Sequence, residues 1–205
     1  MRCVFLQVTA IEKFGKYKYK IFLDYEFAFW VYWKDLQCWN ISVNKEISMD
    51  IYEQILNEVV LEKAKRKAIS LLKYINRTEQ ELRLKLKLQL FPLEVIDKTI
   101  TYVYSYHYLD DDRYIESFIA SNKALHSKHW IEMRLLKKGI EKGKIQAFFV
   151  DEYSEEEALR KAIQKKLKGK NLENRAEKQK ILAYLFRQGY SMRNAKEIIS
   201  EYEKK

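Results

Sequence analysis

Proline occurs once in this 205-residue chain and glycine five times. Such scarcity excludes collagen-like, loop-rich and proline-rich disordered chains, and it favours long stretches of regular structure. The two cysteines, Cys3 and Cys38, form no Cys-x-x-Cys spacing. Free thiols in a reducing compartment are the economical expectation. No apolar run approaches the ~18 residues of a membrane span. The N-terminal run around Val4-Phe5-Leu6 is too short for the hydrophobic region of a secretion signal, so a cytoplasmic protein is expected. Catalytic signatures are missing as well. There is no Gly-x-Ser-x-Gly and no Cys/His pair with an orienting acid. The close glycine pair Gly139 and Gly143 lacks the spacing and the Gly-Lys-Ser/Thr ending of a phosphate loop. The expectation is a protein that is not an enzyme, holds no cofactor and turns over no small-molecule substrate.

Apolar residues make up 47% of the chain, enough for a core, and charged residues 33%, enough for a well-solvated surface. Lysine and arginine number 39 against 29 acids, a net charge of +10. That excess favours anionic partners such as nucleic acid, a nucleoprotein or a membrane surface. The remaining acids oppose close approach of phosphates, so charge alone does not choose among them.

Residues 1–48 differ from the rest. Between Tyr17 and Val31 every odd position is apolar or aromatic, with Lys16, Lys18, Lys20, Asp24 and Glu26 interleaved. Period two with aromatics predicts half-buried strand. Gly15 is a turn between this run and an earlier strand near Val4–Lys13, and Asp24-Tyr25 is a weaker turn candidate that would split the run into a hairpin. From residue 49 onward the period becomes helical, as in Leu61, Ala64, Ala68, Leu71 and Ile75.

The helices recur. Leu82, Leu86, Leu90, Phe91, Ile96 and Ile100 superpose on Ile131, Leu135, Gly139, Ile140, Ile145 and Phe149, and again on Ile181, Leu185, Gly189, Tyr190, Ala195 and Ile199. Three copies at one period indicate tandem units that bury their faces against neighbours. Gly139 and Gly189 hold a C-terminal turn position. Pro92, Glu141 and Ser191 mark the following helix start as first-turn proline, first-turn acid and N-cap hydroxyl. The expected organisation is a β-rich segment at 1–48 and three-helix repeats at 49–109, 110–154 and 155–205. The fold class is mostly α: three tandem three-helix repeats, elongated, preceded by a small antiparallel β segment. The strict alternation from Leu82 to Leu90 reads as strand in isolation, but the repeat makes it helix, with Leu82 and Leu86 inward and Leu84 and Leu88 outward.

Three stretches carry a family resemblance. Arg77-Thr78-Glu79-Gln80-Glu81-Leu82-Arg83-Leu84-Lys85-Leu86, Leu109-Asp110-Asp111-Asp112-Arg113-Tyr114 and Leu135-Leu136-Lys137-Lys138-Gly139-Ile140, in this order and spacing, resemble the RecX family of recombinase regulators. The segment Tyr19–Phe29 also resembles the hairpin that precedes the repeats in some members. The chain departs from the family where Ser127-Lys128 replaces Gly-Pro, where Leu90 replaces a turn glycine and where Tyr25 replaces a hairpin glycine. These departures touch local turn geometry. The resemblance implies an elongated, monomeric, non-enzymatic modulator. Its partner would be the filament of a RecA-type recombinase on single-stranded DNA, whose ATP hydrolysis, strand exchange and extension it would inhibit, in DNA repair, recombination and the SOS response.

Candidate sites are few. Asp110-Asp111-Asp112 reads better as helix-start acids than as a metal cluster, because no partner His or Glu has ligand spacing nearby. His126, His129 and Glu132 lie near one helical face but read as surface residues. Residues 155–205 carry 14 bases against 8 acids, while residues 110–154 carry 8 of each. The densest cations are Arg160, Lys161, Lys165, Lys166, Lys168, Lys170 and Arg175; with Arg83, Lys85, Lys137 and Lys138 they are the candidates for filament or weak, non-specific DNA contact. Leu84 and Leu88 are expected to be covered by a neighbouring unit or the β segment rather than to form a docking patch. A direct DNA-binding, helix-turn-helix-like protein is the alternative reading. Against it, the aligned reading positions Glu94, Lys142 to Lys144 and Arg193 are not uniformly basic. A plain scaffold is a third.

Overall fold

The computed structural model describes residues 5–149, 154–167 and 174–203, in two compact units divided at Asp110/Asp111. The fold is mostly helical, with three-helix repeats preceded by a small antiparallel sheet.

In the first unit, β1 (Phe5–Lys13), β2 (Lys18–Leu23) and β3 (Glu26–Tyr32) follow the expected strand period. Ile21, Leu23, Phe29 and Val31 are buried on one face. Gly15, at φ +80°, turns the chain between β1 and β2. The second turn falls on Asp24 and Tyr25, with φ of +47° and +70°. Successive positive φ angles are what a tight hairpin demands, so Tyr25 adopts a backbone that glycine favours and its ring stands in solvent. The Asp24 carboxylate steadies this turn by accepting the Gln7 N–H at 3.0 Å, and Thr9 Oγ1 accepts the Tyr25 N–H at 3.0 Å. Two elements carried no sequence signal: the helix α1 (Trp33–Cys38) and the edge strand β4 (Glu46–Ser48), which pairs with β1 and gives the order β3-β2-β1-β4.

The long first helix of repeat 1 comprises α2 (Met49–Gln54), a π-helical stretch (Ile55–Val60) and α3 (Leu61–Leu72). Then come α4 (Glu79–Leu88) and α5 (Leu93–Ser105). The alternating leucines are therefore helical: Leu82 and Leu86 are fully buried, whereas Leu84 and Leu88 are 56% and 65% exposed. The expectation that these two would be covered is corrected: they stand exposed while Leu82 and Leu86 take the inward face of α4.

The second unit holds α6 (Asp111–Asn122), α7 (Lys128–Lys137) and α8 (Lys142–Ala147), then α9 (Glu156–Leu167), α10 (Arg175–Arg187) and α11 (Met192–Glu203). Each set of three encloses its own apolar cluster: Ile115, Ile131, Leu135 and Ile145 in one, Leu159, Ile163, Ile181, Leu185 and Ile199 in the other.

The repeat extends to the hydrogen bond that closes each tight turn. The N–H of Phe91 donates to Leu86 O, that of Ile140 to Leu135 O and that of Tyr190 to Leu185 O, at 3.1–3.3 Å. Leu90, Gly139 and Gly189 sit at φ +62°, +82° and +87°. This is the six-to-one bond and left-handed residue of a Schellman cap. Starts recur as well. Thr78, Ser127 and Asn174 accept backbone N–H groups with their side chains, Thr78 in a reciprocal capping box with Glu81. Pro92 and Glu141 stand at the N-cap position itself, one residue before the first turn assigned to them from sequence.

Candidate functional site

Helical spacing that places cations on the surface also places acids beside them. Arg83 bonds Glu79, one turn earlier, at 2.6 Å and Asp97 of α5 at 2.5 Å. Partial burial opposes its charge, but the bonds to Asp97 and Glu79 prevail and raise its pKa above the ordinary arginine value. Arg160 bonds Glu156 at 2.8 Å and Glu201 at 2.7 Å, which likewise raise its pKa. Lys161 reaches Glu157 at 2.6 Å, and Lys144 reaches Asp112 at 2.9 Å. Arg83 and Arg160 are thus committed to tying helices together. Both are poorer phosphate ligands than their sequence positions imply.

Other candidates differ. Lys85, Lys137 and Lys165 are exposed and make no ion pair among the described residues. Lys138 lies over the Tyr114 ring at 5.3 Å and Lys166 over the Tyr184 ring at 4.3 Å. Arg175 is exposed at the start of α10. Lys168 and Lys170 lie outside the described residues. Lys165 and Lys166 share α9 with Arg160 and Lys161, whereas Arg83 and Lys85 are on α4 of the other unit. The structure thus gathers part of the basic cluster on α9.

The acidic triplet opens α6, with Asp111 and Asp112 in its first turn, as the charge of a helix start prefers. Among the described residues no group of three His, Cys, Asp or Glu side chains is arranged to hold a metal ion. His126 stacks on Trp130, ring centroids 3.7 Å apart. His129 abuts Gly189, where an added Cβ would stand 2.8 Å from the His129 Cβ. The two histidines serve different contacts.

Sequence reasoning missed a pocket of about 320 Å³ in the second unit. It is lined by His126, Ser127 and Trp130 from the second repeat and by Lys161, Lys165, Tyr184, Gln188 and Tyr190 from the third, among others. Ser127 fastens the wall: its hydroxyl accepts the Trp130 N–H at 3.1 Å and donates to the Gln188 carbonyl at 2.5 Å. Desolvation by burial, aided by the nearby Arg134 charge, holds His126 below the usual histidine range. The signal that could have found it was Trp130 and Ser127 beside the recurring turn at Gln188, but the convergence of three helices is not a local pattern.

Comparison with known proteins sets this arrangement in a family. A model described as the first three-helix domain of RecX matches residues 64–102, and one described as its third three-helix domain matches residues 154–199. The chain is 31% identical over 198 residues to the regulatory protein RecX of Caldanaerobacter subterraneus subsp. tengcongensis, covering 94% of this chain and 98% of the relative. It is 27% identical to that of Clostridium acetobutylicum, covering 95% of each. The Bacillus velezensis relative is 30% identical, with 91% of this chain and 73% of that one aligned. Among solved structures, a crystal structure titled as regulatory protein RecX superposes with a TM-score of 0.62 at 22% identity, covering 95% of this chain and 99% of the other. RecX from Lactobacillus salivarius gives 0.60 at 22% identity, covering 70% and 97%.

Proposed function

Because the chain belongs to the RecX family, we propose that it binds the filament formed by a RecA-type recombinase on single-stranded DNA and inhibits its ATP hydrolysis, strand exchange and extension. The observation that carries this reading is the relationship to regulatory proteins of that family over nearly the whole chain. The surface supports it. Stacked helices expose Lys85, Lys137 and Lys165 without acidic partners among the described residues, and Leu84 and Leu88 stand uncovered on α4. Cations and apolar side chains together suit a nucleoprotein better than bare duplex. The modules that engage it would be the three repeats at 49–109, 110–154 and 155–205. The protein would act in the cytoplasm as a monomer without turnover of its own.

The test is the DNA-dependent ATPase of the cognate recombinase with and without this protein. Inhibition that saturates at less than one protein per recombinase monomer supports filament binding; an unchanged rate at excess protein overturns it. Direct binding to free DNA should be weak, independent of sequence and steeply reduced by salt. Tight binding to one duplex sequence at physiological salt would favour the helix-turn-helix reading instead. Reversing Lys165, Lys166, Lys168 and Lys170 to Glu should raise the protein needed for half-inhibition about tenfold at low salt, with the gap narrowing as screening grows.

A further inference from the structure

We propose that the pocket between the second and third repeats is a binding site for a single nucleotide unit, with a base against its aromatic wall and a phosphate at Lys161 and Lys165. This inference does not depend on the recombinase reading, because it concerns binding to the isolated full chain.

Four features argue for that ligand. First, the size: about 320 Å³ lies at the lower end of small-ligand pockets. One nucleotide fits, while several stacked bases or a partner helix would not. Second, the wall is a ladder of rings. Tyr114, Phe118, Trp130 and His126 run in near-parallel succession, with interplanar angles of 14°, 8° and 9°. The ladder ends at His126, which lines the pocket together with Trp130, Tyr184 and Tyr190. Bases stack on such rings whatever their identity. A neutral imidazole, favoured by burial and by Arg134, adds a ring without adding a charge to be desolvated.

Third, the charge has one sign. Lys161 and Lys165 are one helical turn apart on α9 and both line the pocket, with no carboxylate among the lining residues. Lys165 makes no ion pair among the described residues. Among the described residues Lys161 pairs with the exposed Glu157, a pairing that a phosphate can replace at little cost. Fourth, Gln188 lines the same pocket, and its carboxamide makes no hydrogen bond among the described residues. An amide that can donate and accept at once suits the edge of a base. An acidic peptide would satisfy the lysines but leave the ring wall and the amide unused, so the nucleotide uses more of what is present.

The site is rigid where it matters. Ser127 is 1% exposed and bonded on both sides of the pocket, to the Trp130 N–H and to the Gln188 carbonyl. The two repeats are thereby joined at the floor, and a ligand would find the wall already formed.

The test is equilibrium binding to the full-length protein, followed by chemical-shift changes of the Trp130 indole. The probes are 2′-deoxyadenosine 5′-monophosphate, deoxyribose 5-phosphate, deoxyadenosine and a short peptide rich in glutamate. The monophosphate should bind at one site, at least tenfold more tightly than the sugar phosphate or the nucleoside. Lys165→Glu should weaken it at least tenfold and Gln188→Leu about threefold to tenfold. Lys196→Glu, an equal charge change on α11 away from the pocket, should leave it within twofold. A short single strand that displaces the monophosphate identifies the natural source as a strand; failure to displace it identifies a free nucleotide. Equal binding of sugar phosphate and monophosphate, preference for the acidic peptide, or indifference to both pocket substitutions in folded variants would each overturn the proposal.

Discussion

The turn of the first repeat and the turn of the third are closed by the same pair of hydrogen bonds, yet one is built on Leu90 and the other on Gly189. A left-handed leucine costs about 1–2 kcal/mol relative to its ordinary backbone. Leu90 offsets this with burial, since it packs partly against the core of the first unit. The adjoining Gln89 carbonyl is also fixed, accepting the Trp30 indole N–H from β3 at 2.8 Å. Gly189 has no side chain to bury, and none would fit. The difference teaches that one position of a repeat can be glycine for two separate reasons, backbone freedom and space, and that only the second forbids replacement.

Gly189→Ala should be the most damaging change, about 3 kcal/mol in denaturant unfolding, because left-handed strain adds to overlap with the His129 Cβ. Gly15→Ala, equally left-handed but with nothing within 4 Å, should cost only about 1 kcal/mol. Equal losses would break the distinction between freedom and space. Next is Ser127→Ala, at about 2 kcal/mol, since one hydroxyl both caps α7 and reaches the Gln188 carbonyl. Trp30→Phe removes the corresponding bond to the Gln89 carbonyl and should cost about 1 kcal/mol in unfolding. Smaller still, Leu90→Gly should change stability by less than about 1 kcal/mol, relief of strain cancelling lost packing. Leu90→Ala keeps the strain and loses the packing, so it should be worse by about 1 kcal/mol. A glycine variant less stable than the alanine one would show that Leu90 is not strained.

The smallest expected effect is one of pH. Burial, with Arg134, lowers the pKa of His126 in the folded protein, so the unfolded chain takes up its proton first, near pH 6.5. Stability should therefore fall as pH drops below that value toward the folded pKa. His126→Phe should flatten this slope in unfolding measurements between pH 7 and 5. An unchanged slope would assign it to other groups.

Much of the fold was legible because it repeats. The recurrence of Leu86, Leu135 and Leu185 before a turn fixed three helix pairs at once and overrode the strand-like alternation at Leu82–Leu90. The hairpin was legible from period two. α1 and β4 were not, since six and three residues carry too little periodicity; their places depend on Asp35 meeting Lys63 and on Ile47 meeting Leu6. Of the basic candidates, the restraint on Arg83, Arg160 and Lys161 was half visible: Glu79, Glu156 and Glu157 stand four residues earlier, the spacing of helical ion pairs. Asp97 and Glu201 come from other helices and could not be read. The pocket was illegible for the same reason, as α7, α9 and α10 supply it together.

The π-helical stretch at Ile55–Val60 bears on how one helix can serve two neighbours within a single core. Ile55, Leu56 and Val60 are buried, and the stretch packs against β3 and α5; further on, Ala64 and Ala68 bury themselves where α3 meets α4 and α5. A widened turn acts like one inserted residue, rotating everything after it by about 100° relative to an uninterrupted helix. It works as a phase shifter between two gears of different pitch. The same shaft thereby turns one run of side chains toward β3 and α5 and the next toward α4 and α5.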